Sequence, residues 1–191
     1  MIEILAVLLV CLAAISVARA ATRTRRRMRR HPAPTFVFAD LVGYTALTDE
    51  RGDEAAARVA GEFRRTMCNL SREHGAWQVK AMGDGVMISA PDPGRAIALA
   101  QHTVEEVGSR RDLLPVRVGV HTGSAVMRGC DWYGAAVNVA ARLATEAAPN
   151  EALVSSSTRD AAHVAGEPLL SGRRELTLRG IAGPVSAWRL A

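Results

Sequence analysis

Apolar and β-branched residues fill Thr35-Phe36-Val37-Phe38-Ala39 and stop at Asp40, which predicts a short buried strand delivering a carboxylate at its C-terminal end. Leu41-Val42-Gly43-Tyr44-Thr45 turns from there into a helix. A helix beginning near Gly43 places free backbone N–H groups and a positive dipole end beside Asp40, which is an anion site. Asp53 is placed to cap a longer helix, along which Ala56, Val59, Ala60, Phe63, Met67 and Leu70 recur at helical spacing as one apolar stripe. Gly75 stops it. Two strand-like runs between Trp77 and Ser89 flank Gly83-Asp84-Gly85 and predict a tight hairpin with Asp84 at its tip.

Asp92-Pro93 is an N-cap followed by a proline at the first helical position, and Ile97, Ala100, Val104 and Val107 form the buried face of the helix that follows. Pro115 to Thr122 alternates, with Val116, Val118 and Val120 on one face, and Gly123 turns the chain into Ser124-Ala125-Val126-Met127. His121, within this strand, reads as a packed residue. Strand, helix, hairpin, helix, strand is the split βαββαβ order of a ferredoxin-like palm, an α+β fold. Beyond it, Gly134 to Ala147 reads as an Ala-rich helix, and Ala152-Leu153-Val154 and Glu175-Leu176-Thr177-Leu178 as additional C-terminal strands. Gly180 to Pro184 precedes a last apolar run.

Upstream, Ile4 to Ala18 carries no charge and reaches about 20 residues when Met1, Ile2 and the stem of Arg19 are counted. This predicts a single transmembrane helix over residues 1–21, an Arg/Pro-rich juxtamembrane linker over 22–34 and a folded domain over 35–191. Arg23, Arg25, Arg26, Arg27, Arg29 and Arg30 would hold that domain on the cytoplasmic side of a single-pass protein. Ala18-Arg19-Ala20 resembles a signal-peptidase site, but Glu3 replaces the expected positive charge and Arg19 sits inside the motif.

The formal charge of +5 belongs to this tail: without its seven arginines and Glu3, 17 basic residues face 18 acidic ones. The basic pI is therefore no argument for a nucleic-acid partner, and none is expected. Cys11, Cys68 and Cys130 lack metal-ligand spacing and fit reduced thiols.

Strand-end Asp40 and hairpin-tip Asp84 lie at one edge of a palm, where adjacent strands are about 4.8 Å apart, so their carboxylates can converge. Such a pair needs a counter-charge. Mg²⁺ supplies it, and two ions so held can activate an attacking oxygen and neutralise a triphosphate. The hairpin also holds Lys80, the only lysine among 24 basic residues, in a chain that otherwise uses arginine; an ammonium does not replace a guanidinium fork. Asn138 and Arg142, four residues apart, share one helix face and suit a sugar or a phosphoryl group in its transition state. Taken singly, each feature also has a plain structural reading: turn chemistry for Gly-Asp-Gly, a solvated helix edge for Asn138 and Arg142.

Together, Phe38-Ala39-Asp40-Leu41-Val42-Gly43-Tyr44-Thr45, Lys80-Ala81-Met82-Gly83-Asp84-Gly85 and Asp131-Trp132-Tyr133-Gly134-Ala135-Ala136-Val137-Asn138-Val139-Ala140-Ala141-Arg142 occur in this order at compatible spacings. The set resembles the catalytic domain of the class III nucleotidyl cyclases, and the resemblance covers nearly all of Thr35 to Ala191.

The resemblance implies that Asp40 and Asp84, with the backbone carbonyl of Leu41, bind two Mg²⁺ or Mn²⁺ ions, and that amides around Gly43, Tyr44 and Thr45 hold the β- and γ-phosphates. Lys80 and Asp131 match the pair that selects the base. Lysine only donates and an ionised carboxylate only accepts, which fits the N1 acceptor and N6 donor of adenine and mismatches guanine. The family's guanylyl cyclases use Glu with Cys or Ser here; Cys130 is one position away and is not that residue. Asn138 matches the ribose-orienting residue, Arg142 the one that stabilises the α-phosphate, and Arg179 a position where the family often has a lysine on the triphosphate. The implied activity is conversion of ATP to 3′,5′-cyclic AMP and pyrophosphate, in sites shared across a head-to-tail homodimer. The rival readings are a non-catalytic nucleotide-binding or dimerisation module and a guanylyl cyclase. A diguanylate cyclase would need a Gly-Gly-acidic-acidic-Phe hairpin, which Gly83-Asp84-Gly85-Val86 is not.

Overall fold

The computed structural model describes residues 33–162 and 170–190. The predicted transmembrane helix and nearly all of the predicted linker lie outside these residues. Among the described residues no helix is long and apolar enough to cross a membrane.

The palm is formed by β1 (Thr35–Leu41), β2 (Trp77–Met82), β3 (Gly85–Ala90) and β4 (Val116–Thr122), which lie in the order β2-β3-β1-β4, all antiparallel. Helix α1 (Tyr44–Glu73) connects β1 to β2, and α2 (Pro93–Ser109) connects β3 to β4. After β4 come the short strands β5 (Val126–Arg128) and β6 (Asp131–Tyr133), then α3 (Ala135–Glu146), β7 (Glu151–Ser155), α4 (Ser156–Ala161), β8 (Leu170–Leu176) and β9 (Val185–Leu190). β7 joins β4 in parallel, and β9 and β8 extend the sheet antiparallel beyond it, giving seven strands.

Alternation along the strands sorts side chains to two faces. Val37, Ala39, Val86, Ile88, Val118 and Val120 are buried against Phe63 and Met67 of α1 and Ile97 and Ala100 of α2. Phe36, Phe38 and Met87 point the other way, onto Ala136, Ala140 and Ala144 of α3. Each fully buried Val, Ile, Phe or Met contributes about 1.5–3 kcal/mol. Gly119 lets α3 come close to the sheet: a Cβ there would lie 2.2 Å from the backbone nitrogen of Ala144 and 2.3 Å from the carbonyl of Ala140. The Ala-rich stripe on α3 and the glycine beneath it are two halves of one contact.

The predicted cap at Asp92 and the predicted hairpin turn are present. Asp92 accepts a hydrogen bond from the Arg95 amide at 2.9 Å, and Gly83, with φ of 61°, occupies the first position of the two-residue hairpin turn. Gly52 (φ 77°, ψ 165°) is non-helical and divides α1 into two helical stretches, the longer of which opens at Asp53 as expected. One strand boundary needs correction. The strand predicted over Glu175–Leu178 begins at Leu170 and ends at Leu176. Its polar Ser171-Gly172-Arg173-Arg174 start hid it, and Leu178 is buried beyond its end against Leu143, Leu153 and Ala187. The segment after Gly123 is the first strand of the β5–β6 ribbon, which was not expected at all.

Candidate active site

Asp40 is the penultimate residue of β1, in register with Gly85 of β3 and Arg117 of β4. Arg117 donates to Asp40 Oδ2 from Nη2 at 3.0 Å and from Nε at 3.3 Å. The other oxygen, Oδ1, lies over Gly85, 2.9 Å from where a Cβ would stand. A side chain at position 85 would displace the carboxylate. The hairpin tip is tied to the end of β1 through the Leu41 amide, which donates to the Asp84 carbonyl at 3.4 Å. Burial raises the pKa of Asp84, and the charge of Asp40 raises it further. Two neighbouring carboxylates form a hard-oxygen donor set with an excess of negative charge, which matches a divalent cation such as Mg²⁺.

Gly43 adopts a left-handed conformation (φ 85°, ψ 16°) as the N-cap of α1, and no side chain caps that end. The first-turn amides of Tyr44 and Thr45 thus open beside Asp40 and Leu41, an arrangement suited to phosphate oxygens. Tyr44 is half-buried against the core, while Thr45 is exposed.

A second group lies on other elements. Lys80 on β2 donates from Nζ to Asp131 Oδ2 on β6 at 2.6 Å. The Trp132 amide donates to Asp131 Oδ1 at 2.8 Å. The bond from Lys80, then the one from Trp132, holds the Asp131 carboxyl below its ordinary range, so it is ionised and accepts only. Asn138 and Arg142 are exposed on α3, and Arg179 is exposed between Leu178 and Gly180. Among the described residues, no hydrogen bond or ion pair links Asp40 or Asp84 to Lys80, Asp131, Asn138, Arg142 or Arg179. One chain therefore presents two part-sites: an acidic one next to an amide cradle, and a donor–acceptor pair accompanied by an exposed amide and guanidinium.

Arg117 was missed by sequence reasoning. In Val116-Arg117-Val118 it reads as the outward residue of an alternating strand, and only the register across β1 puts it on Asp40.

Residues 27–190 match the model of the adenylate and guanylate cyclase catalytic domain. The chain belongs to that family. It is 37% identical over 164 residues to the pH-sensitive adenylate cyclase MT1302 of Mycobacterium tuberculosis (strain CDC 1551 / Oshkosh), covering 82% of this chain and 40% of that protein. An adenylate cyclase of Streptomyces griseus is 35% identical over 121 residues, covering 63% of this chain and 30% of the relative. The chain thus spans well under half the length of these relatives. Among solved structures, an adenylate cyclase from Trypanosoma brucei, described in its monomeric state, superposes with a TM-score of 0.77 at 21% identity, over 83% of this chain and 87% of that one. The guanylyl cyclase Cya2 gives 0.70 at 24% identity, over 83% and 91%. At these identities the structural likeness concerns the cyclase fold. The residues that distinguish ATP from GTP within the cyclase family have to be read from this chain itself.

Proposed function

We propose that this cyclase domain converts ATP to 3′,5′-cyclic AMP and pyrophosphate, in sites assembled from two copies of the chain. The observation that carries the reading is the Lys80–Asp131 pair, a fixed donor beside a fixed acceptor 2.6 Å apart. That polarity answers the N1 and N6 positions of adenine and opposes the O6 and N1–H of guanine.

In this reading Asp40, Asp84 and the Leu41 carbonyl hold the two Mg²⁺ or Mn²⁺ ions that the family resemblance implies. When bound, such ions ease loss of the ribose 3′-hydroxyl proton and offset triphosphate charge. The amides of Gly43, Tyr44 and Thr45 hold the β- and γ-phosphates. Arg117 keeps Asp40 in its rotamer and adds fixed positive charge on the same side. From the second chain, Lys80 and Asp131 select the base, Asn138 orients the ribose, and Arg142 meets the charge that builds on the α-phosphate as the 3′-oxygen attacks in line. Arg179 adds a cation toward the triphosphate. Support for a shared site comes from the division of these residues into two part-sites within one chain. The head-to-tail homodimer has two equivalent sites. The apolar stretch within residues 1–21 anchors the protein in the membrane, with the domain in the cytoplasm. Cell fractionation with and without residues 1–30 tests the anchor.

Mixing two inactive chains tests the shared site. Asp40→Ala and Arg142→Ala each remove one part-site. In a random mixture about half the dimers are mixed, and each holds one intact site of two, so activity returns to about a quarter of wild type. Persistent inactivity of the mixture, with both variants folded and dimeric, would refute the shared site. Cyclic GMP as the main product would refute the base assignment.

A further inference from the structure

The ribbon that carries Asp131 stands apart from the main sheet, its two three-residue strands paired only with each other. Val126, Arg128, Cys130 and Tyr133 are exposed on it, while Asp131 and Trp132 are half-buried. Among the described residues, two side-chain ties join it to the domain. One is the ion pair from Asp131 to Lys80. The other is apolar: the Trp132 ring stands edge-on to Phe36, with centroids 5.6 Å apart and planes at 71°. Phe36 is completely buried among Phe38, Met87 and the alanines of α3.

The first tie is shared while the pair is at work. Lys80 has three protons and the Asp131 carboxylate spare lone pairs, so the pair, 2.6 Å apart, turns a donor and an acceptor toward adenine side by side. Each bond given to the base loosens its own hold on the ribbon. The apolar tie is untouched by the base. Because the Trp132 amide donates to Asp131 Oδ1 at 2.8 Å, the carboxylate moves with the backbone of Trp132. That backbone is seated by a ring wedged against the core.

We infer that Trp132 is the positioning residue for base selection: its edge-to-face seat on Phe36 keeps Asp131 at the right place beside Lys80 while the pair also serves the base. The inference rests on the base-reading role proposed above for Lys80 and Asp131. It assigns Trp132 no contact with substrate.

The test measures kcat and KM for ATP, and Ki for GTP as a competitor, in the 191-residue chain and its Trp132→Ala, Trp132→Phe and Asp131→Ala variants. Loss of one edge-to-face pair corresponds to about a three- to tenfold effect. Trp132→Ala is expected to raise KM for ATP by that factor and to shrink the preference for ATP over GTP equally, with kcat at saturating ATP nearly unchanged. Trp132→Phe, which restores a ring, is expected to recover both. Equal weakening of ATP and GTP, a loss confined to kcat, or failure of phenylalanine to rescue would overturn the inference and leave Trp132 a packing residue. If Trp132→Ala does not fold, Trp132→Leu, an apolar plug without a ring, must show the same split between KM and kcat. An unchanged ATP preference in Asp131→Ala would overturn the base-reading role and this inference with it. A changed preference there, with none in the Trp132 variants, would overturn this inference alone.

Discussion

Arg117 and Asp40 face each other in register across β4 and β1, and two guanidinium nitrogens of Arg117 converge on one oxygen of Asp40. Both side chains are about one-third exposed, at 30% and 34%. Water screens such a pair, so its net contribution to stability is about 0–1 kcal/mol. Asp40→Ala is therefore expected to abolish cyclic AMP formation while lowering Tm by no more than about 4 °C. Thermal melts beside a turnover assay check both halves. Turnover retained without Asp40 would sink its role as a metal ligand.

The specificity pair can be exchanged. Replacing Lys80 with Glu and Asp131 with Ser supplies the guanine-compatible polarity and leaves the adenine edge facing the wrong partners. An unmatched buried polar group costs about 1–3 kcal/mol, so kcat/KM for ATP should fall about 5- to 150-fold. Unchanged selectivity in competition between ATP and GTP would refute the assignment.

Gly119→Ala tests the seat of α3. The new methyl would press on the backbone of Ala140 and Ala144, and neither is a flexible side-chain tip. Overpacking of this kind costs about 1–3 kcal/mol or more. The denaturant midpoint should fall, and activity with it, because α3 carries Asn138 and Arg142. Wild-type stability in this variant would contradict the close approach of helix and sheet.

Asp84 gives a pH dependence with a defined sign. Burial first and Asp40 second make the folded chain hold the Asp84 proton more tightly than the unfolded chain does. A raised carboxyl pKa favours folding at acid pH, and that contribution is lost as pH rises through the raised value. Asp84→Asn should consequently be the more stable protein near neutral pH and lose this advantage in acid, although it is inactive. Added Mg²⁺ should stabilise the wild type at neutral pH and have little effect on the variant. Melting curves with and without Mg²⁺ across this range provide the check.

His121 acts in the opposite direction. Its Nδ1 lies 2.9 Å from Ser155 Oγ, and burial pushes its pKa down to about 4. The unfolded chain protonates at its ordinary value of 6.5, so stability present above that pH drains away as pH falls from there toward 4. The loss from this group is roughly 3 kcal/mol. His121→Gln should flatten the acid limb of the stability profile, as measured by urea midpoints.

The palm was legible because each of its elements is long enough to show a period: β1 as a continuous apolar run, α1 as a stripe, β4 as strict alternation. The acidic part-site was legible for the same reason, since Asp40 ends a strand and Asp84 sits in a Gly-flanked turn. The β5–β6 ribbon was not, because three residues per strand carry no measurable alternation and half of them are exposed. Hence Asp131 was recognised through the family motif, while the strand presenting it and the tryptophan seating it stayed hidden. Arg117 escaped for another reason: its meaning lies in a pairing with a residue on a distant strand, which local pattern does not encode. His121 read as packed, and its hydrogen bond to Ser155 comes from the parallel pairing of β4 and β7.

Among the described residues β2 is an edge strand of the sheet, yet its ladder with β3 is interrupted by a register shift between Gln78 and Lys80, and Trp77 and Met82 are exposed along it. An unbroken edge would invite strand-by-strand growth into a filament. The irregular one resists fusion with a neighbouring sheet and leaves side chains to make any contact. Under the shared-site reading, a chain turns over substrate only when two copies meet. While pairs are scarce their number grows with the square of chain concentration, so the abundance of the protein itself becomes an input to the signal it makes.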